Sequence, residues 1–355
     1  MKKSLRVIAA VVAVMMLVGI TGCGNSQKPT KDLSKVVAAT YGDEKIYLDE
    51  ANFFLRYTQW TYESMYWDVY TQLMGYTDIW EIPFDENGKT MADSIKESTM
   101  QQLHQTRVLC DAAAQYGLSM DNVDVERCKE AAHEIFAETD PSFFEYAPVT
   151  EEQLTEWFKL NALANMVHQT IIDGAEVTVN EEDYAMFEVT YINIATDATV
   201  KVTDEKGEEQ ILLGVQVAKA ITDRVNAGED FETVATEYEL KPTSATYAKK
   251  EADTDTEFTK NARQLLTSSD KAMQFTNSAT EELNVMICSN PYVEDASEEK
   301  RVELEQEQKD LAFNAIYVPL QDAAPEFKVT SDYENLKVGG GEKIYVEPAT
   351  EEGEG

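Results

Sequence analysis

Histidine is nearly missing from this chain: three in 355 residues, His104, His133 and His168. None falls between residues 185 and 291, so that stretch has no imidazole for proton transfer or metal binding. Cysteine is scarce, with Cys23, Cys110, Cys128 and Cys288, none of them in a CxxC pair or at a zinc-like spacing. No metal is expected. The GxSxG elbow, the HExxH helix, the phosphate loop and the dinucleotide fingerprint are absent too, which removes the enzyme classes they announce, and no cofactor is expected. Basic residues number 30 against 66 acidic ones, a formal charge of −36. A phosphate backbone would be repelled, so no nucleic acid is expected as a partner. Carboxylate pairs such as Glu181-Glu182 and Glu281-Glu282 arise readily at this composition and read as solvated. Gly339-Gly340-Gly341 lacks the strand-to-helix setting of a phosphate loop and reads as a hinge.

What is present begins at the N-terminus. Lys2, Lys3 and Arg6 precede an apolar run from Val7 to Val18, which is too short to cross a bilayer and has the layout of an export signal. The tetrad Ile20-Thr21-Gly22-Cys23 resembles the lipobox of bacterial lipoproteins. That resemblance implies a signal peptide over 1–22, cleavage before Cys23, lipid on the Cys23 thiol, and attachment at the extracytoplasmic face of the cell membrane. One acyl chain anchors only marginally, so further chains on the cysteine are implied. Residues 23–36, with Ser26, Lys28, Pro29 and Lys31, read as a polar tether. Loss of the signal leaves 27 basic against 66 acidic residues, a net −39. This suits a soluble body that stands off an anionic surface, and it favours basic or unfolded partners; generic extracellular acidity explains it equally well. Of the remaining thiols, an odd three, all read as small core residues, with a Cys110–Cys128 bridge left open.

The pattern along the chain predicts an α+β protein, mainly helical. Gly42-Asp43-Glu44-Lys45 is a turn before a short strand, Ile46 to Leu48, and Asp49 is placed to cap a helix starting at Glu50. Further helices are predicted over Met91–Tyr116, stopped by Gly117, and over Asn122–Ala137, before the Asp140-Pro141 break. A fourth opens at the capping box Thr150-Glu151-Glu152-Gln153. From Phe187 the period changes. Phe187, Val189, Tyr191 and Asn193 share one strand face; Glu188, Thr190, Ile192 and Ile194 share the other. After a turn-rich insert (Asp204 to Gln210), Val217, Ile221 and Val225 mark a helix ended by Gly228. Asp230 caps the next, carrying Phe231, Val234, Ala235 and Tyr238. A helix over Phe258–Leu266 and a strand over Asn284–Cys288 complete the middle part. A charged helix over Ala296–Phe313 follows, then Ile316 to Leu320 and Phe327-Lys328-Val329. The acidic end, Glu347 to Gly355, reads as disordered.

Three stretches of the chain resemble the extracytoplasmic foldases, the lipoprotein proline isomerases of monoderm bacteria, and their periplasmic chaperone relatives. Ala39 to Phe53 is similar to the opening of their helical chaperone domain. Val177 to Asp183 resembles the lead into the isomerase module. Val217 to Tyr238 looks like the parvulin passage in which a helix ends at a glycine and Asp-Phe opens the next. The resemblance implies a discontinuous helical chaperone domain (37–184 and 292–338) with a small parvulin-like α+β domain inserted (185–291); residues 339–355 read from their composition as an acidic tail. The implied partners are unfolded or newly exported polypeptides, and the membrane through the lipid.

Parvulins carry one histidine on the first strand and another on the last, beneath the substrate proline. Here Tyr191 stands at the first position, and the second falls at Asn284 or Val285. Rotation about an X-Pro bond makes and breaks no covalent bond, and its barrier is about 20 kcal/mol. An apolar pocket that stabilises the twisted amide is therefore enough in principle. Isomerase activity is left open, with Tyr191 and Asn193 as candidate donors. Alternative readings are a fully active isomerase with a non-histidine site and, from another class, a solute-binding lipoprotein of a transporter. The latter is built from two α/β lobes, which the long helical opening does not match.

The first predicted helix is crowded with rings: Phe53, Phe54, Tyr57, Trp60, Tyr62, Tyr66, Trp67 and Tyr70. Phe53, Tyr57 and Trp60 form one stripe and Tyr62, Tyr66 and Tyr70 a second. Exposed, they would capture apolar segments of a client, with Met65 and Met74 as adaptable surface. Covered by two neighbouring helices, they would be core.

Overall fold

The computed structural model describes residues 28, 29, 31–83, 85, 86, 88–203, 209–340 and 343–346. The signal, the lipobox with Cys23, and the end from Glu347 lie outside the described residues. The chain divides into two compact units, one made from the part up to Ala175 together with the part from Ala312, the other from Glu176–Leu311.

The first unit is closed by strands from both ends of the chain. Strand β1 (Val37–Tyr41) lies between β2 (Glu44–Tyr47) and β9 (Phe327–Val329), antiparallel to both. Thr330 fastens the join: its N–H donates to Ala38 O at 2.9 Å and its hydroxyl to Val37 O at 2.7 Å. Around this small sheet pack α1 (Leu48–Asp68), α2 (Met91–Ala112), α3 (Asn122–Glu138) and α4 (Glu151–Asp173). Their ends follow the capping chemistry of the sequence. Asp121 accepts from the N–H groups of Val123 and Asp124, and Thr150 and Gln153 exchange the reciprocal bonds of a capping box. Gly117, at φ +68°, ends the turn that follows α2.

Asp49 does not cap α1. The helix starts one residue earlier, at Leu48, and the Asp49 carboxylate instead accepts from Gln153 Nε2 at 2.7 Å, linking α1 to the start of α4. The core holds Ile46, Phe53, Leu55, Trp80, Leu103, Phe143 and Leu154. One ion pair is buried with it: Arg107 of α2 makes a bidentate pair with Glu50 of α1 at 2.8 and 2.9 Å. The cysteines Cys110, Cys128 and Cys288 are free, so no Cys110–Cys128 bridge forms.

Helix α9 (Glu294–Ala323) is a single element, where the sequence pattern suggested a helix to Phe313 and a separate piece after it. Pro319 sits inside it. A proline removes one intrahelical donor at a cost of about 3 kcal/mol. Phe313, Tyr317 and Leu320, packed with Leu109, Val167 and Ile171, offset that loss.

In the second unit four antiparallel strands run in the order β6-β3-β8-β7: β3 (Met186–Ala195), β6 (Thr243–Ala248), β7 (Ala272–Asn277) and β8 (Glu282–Asn290). The alternation along β3 separates two cores. Ile192 and Ile194 pack with α6 (Gly214–Asn226) and α7 (Phe231–Glu237), while Phe187, Val189 and Tyr191 pack with α8 (Glu257–Thr267). Gly228 at φ +112° and the Asp230 cap on the Thr233 N–H separate α6 from α7, as their sequence pattern predicts. A two-stranded antiparallel ribbon, β4 (Thr199–Thr203) and β5 (Glu209–Leu213), takes up the last two residues of the turn-rich insert; residues 204–208 of the insert lie outside the described residues. Strands β6 and β7 have no counterpart in the sequence reading. Both are edge strands, short and without a clean apolar alternation.

This unit begins earlier and ends later than residues 185–291. The short helix α5 (Glu181–Tyr184) and the start of α9 are tied to it: Met186 N–H donates to Ser297 Oγ, Val293 N–H to Met186 O, and the Gln308 side chain bonds both the N–H and the carbonyl of Thr178. Among the described residues, no helix is long and apolar enough to cross a membrane.

Candidate functional site

Two surfaces gather the residues that the sequence singles out, one in each unit. The first is α1. Its two aromatic stripes have different fates. Phe53 is 1% exposed and Phe54 is also buried, so neither is open to a partner. Tyr57, half-buried, stacks on Phe53 at 5.9 Å and on Trp60 at 6.1 Å, while Phe143 meets all three edge-on. This stripe belongs to the core, and Phe53 is corrected from candidate contact to structural residue. The cover comes from the 3-10 turn Pro141–Glu145, which carries Phe143, and from Trp157 of α4.

The second stripe is not covered in the same way. Tyr62, Tyr66, Tyr70 and Tyr76 form a ladder with ring spacings of 5.6, 6.5 and 6.3 Å. Trp67 and Tyr70 are half-buried, whereas Tyr66 is 42% exposed, Leu73 81% and Met74 60%. Met65, Val69 and Tyr76 are exposed beside them. Here α1 passes into a π turn, Val69–Leu73, an irregularity frequent at functional sites. Large apolar side chains exposed together on one helix end mark a binding surface more often than a core edge.

The second surface lies on the α8 side of the four-stranded sheet. Tyr191 is half-buried, and its ring meets Phe258 of α8 at 4.8 Å, edge to face. Phe258 also contacts Tyr247 at 5.8 Å and Phe275 at 5.9 Å, so it is the centre of an aromatic shelf. Strand register places Asn284 of β8 between Asn193 of β3 and Phe275 of β7. Asn193 is exposed and Asn284 buried. Of the two positions considered for the second histidine, only Asn284 belongs to this face; Val285 is buried in the core on the other side of the sheet. The Tyr191 hydroxyl and the Asn193 amide have no hydrogen-bond partner among the described residues, which leaves both free to donate.

A clamp sets the position of Phe258. Arg263 of α8 bonds both carboxylate oxygens of Asp255 and donates through Nε to Ala248 O at 2.9 Å, tying the end of β6 to the start of α8. The Arg263 hydrogen bonds hold the Asp255 carboxyl down at about 2, from an ordinary 3.8. A depressed carboxyl stabilises the fold fully above its unfolded value and loses that contribution as pH falls through its folded value. Arg263→Gln should therefore lower stability by a constant amount above about pH 4, and the gap to wild type should close as pH falls toward 2. Thermal melts at pH 7, 4 and 2.5 would show it, and a gap that widened in acid would contradict the assignment.

Chemically the shelf offers an apolar seat and neutral donors. Cys288 lies on the same face, but burial pushes its thiol up, away from a reactive thiolate. Among the described residues no group of histidine, cysteine or carboxylate side chains could hold a metal ion.

No protein-family model and no curated protein sequence matches this chain. Solved structures do. Those similar to it include SurA-like chaperones and PrsA foldases. One is a SurA-like chaperone of Campylobacter jejuni, from the pair PEB4 and Cj1289, at 11% identity and a TM-score of 0.28, covering 84% of this chain and all 100% of that one. Another is the peptidylprolyl isomerase PrsA of Bacillus cereus, at 16% identity and a TM-score of 0.28, covering 67% of this chain and 88% of that one. PrsA of Bacillus subtilis matches at 14% identity and a TM-score of 0.21 over 68% of this chain and 90% of its own.

Proposed function

We propose that this protein is a foldase or chaperone, held by lipid on Cys23 at the extracytoplasmic face of the cell membrane, that binds unfolded or newly exported polypeptides. The observation that carries the reading is the apolar band that runs from the end of α1 through the π turn after it, where Tyr66, Leu73 and Met74 are exposed on a strongly acidic chain. Such a surface holds apolar segments without demanding a sequence, and the charge around it keeps the complex soluble. The lipobox resemblance supplies the anchor. Mature protein lacking the lipid should suppress aggregation of an unfolded client, whether or not the client contains proline; failure to do so would overturn the chaperone reading.

The shelf at Tyr191, Phe258 and Phe275 favours a second role for the inserted unit, binding a prolyl or other apolar side chain beside two neutral donors. Slow isomerisation through that seat needs no histidine, since the protein has only to stabilise the twisted amide. A proline-peptide isomerisation assay on wild type and Tyr191→Ala separates the possibilities. Loss of activity in the variant assigns the phenol a part, unchanged activity removes Tyr191 from the mechanism, and no activity in either leaves the unit as a binding surface only.

A further inference from the structure

Gly339 and Gly340, read from the sequence as part of a hinge, are packed against the helical unit; Gly341 lies outside the described residues. Gly339, at φ +88°, lies so close to Trp80 that an added Cβ would come within 2.6 Å of the Trp80 Cβ. The Gly340 N–H donates to the Asp78 carboxylate, and Arg56 Nη2 of α1 donates to Lys337 O at 2.7 Å. Farther on, Ile344 is buried and Tyr345 packs edge-on against Trp60, with ring centres 5.2 Å apart. Residues 339–340 and 343–346 thus form a strap laid along α1.

Its main fastening is Glu63, which is 2% exposed. Oε1 of this carboxylate accepts from Gln59 Nε2 and Trp80 Nε1, both at 2.8 Å. Oε2 accepts from the consecutive backbone N–H groups of Ile344 and Tyr345, at 2.6 and 2.9 Å. Two donors belong to the wall of the groove and hold the carboxylate in place. The other two are main-chain groups that any extended segment has. Every polar contact named between wall and strap, from Asp78 and Glu63, is to the strap's backbone. A groove that binds backbone by hydrogen bonds and side chains by apolar pockets is a general peptide-binding device. The fit of the strap is also incomplete. The indole N–H of Trp60, buried beside Tyr345, has no acceptor among the described residues.

We propose that this groove of α1 is a binding site for extended polypeptide in which an aliphatic residue is followed by an aromatic one, and that the strap is its built-in competitor. The inference rests on the reading of the helical unit as a binder of unfolded chains, and it names the segment class bound and a means of regulation. A client segment with the same pattern, offering its own carbonyl to Trp60, would take the strap's place.

Two variants test this: mature protein ending at Val338, and full-length mature protein carrying Ile344→Asp with Tyr345→Asp. The probe is a fluorescent peptide with the sequence of residues 342–348, beside a scrambled control. Both variants should keep the wild-type helical circular dichroism and bind the probe at least tenfold more tightly than wild type, with no such gain for the scrambled peptide. Adding Glu63→Gln to the double variant should reverse the gain. Folded variants that bind the probe no better than wild type would overturn the proposal, and so would variants that unfold, since the strap would then be a structural staple. Wild type failing against an aggregating client would remove the chaperone reading and leave the peptide result standing.

Discussion

Arg107→Ala should destabilise the helical unit by about 3–5 kcal/mol, the range found when one partner of a buried ion pair is deleted. The guanidinium holds the Glu50 carboxylate through two parallel bonds and reaches Glu44 at 3.0 Å, joining α2, α1 and β2. The alanine variant strands the Glu50 charge in the core. Burial already pushes the Glu50 carboxyl above its ordinary 4.5, with Arg107 opposing that push. Without the arginine, folding would favour the protonated acid more strongly. The sign follows: a carboxyl raised in the folded state costs stability as pH rises through the window above 4.5, so the penalty should be full at pH 7 and shrink on acidification. Arg107→Met with Glu50→Met should recover most of the loss, because no charge is then left unpaired. Urea unfolding at pH 7 and pH 4 measures all of this. A penalty below about 1 kcal/mol would place the pair with ordinary surface ion pairs.

The second large effect is functional. Replacing Tyr66, Leu73 and Met74 together by serine should reduce affinity for an unfolded client by roughly 100-fold. Burying a large apolar side chain contributes about 1.5–3 kcal/mol, and each tenfold in affinity is 1.4 kcal/mol. The estimate needs only about half of the summed burial to be realised. All three side chains are exposed, so the melting temperature should barely move. Client affinity measured by fluorescence anisotropy, beside a thermal melt, checks both halves. Unchanged affinity in a folded variant would take the band out of client binding.

Much of the framework was legible locally. The capping box at Thr150 and Gln153, the glycine stop at Gly117 and the Gly228-Asp230 junction involve residues a few positions apart, so their chemistry is written in adjacent text. The alternation of β3 was read correctly for the same reason, and it placed Tyr191 and Asn193 on one face. Edge strands β6 and β7 were missed because much of what defines them is a partner strand, not their own composition.

By itself, the sequence determined where the amphipathic helices run, that strand and helix character alternate in the middle of the chain, and that this middle part has no histidine. It could not determine whether an apolar stripe is covered. Phe53, Tyr57 and Trp60 are core because Phe143, Trp157 and Tyr345 arrive from distant positions, whereas Tyr66, Leu73 and Met74 stay exposed because no comparable cover reaches them among the described residues. The strap has the same origin. Nothing in the local sequence says that the backbone at Gly339 will lie against Trp80, or that Glu63 will wait for two N–H groups some 280 residues further on. Periodicity records which face of an element avoids water, and only the assembled tertiary structure decides what meets that face.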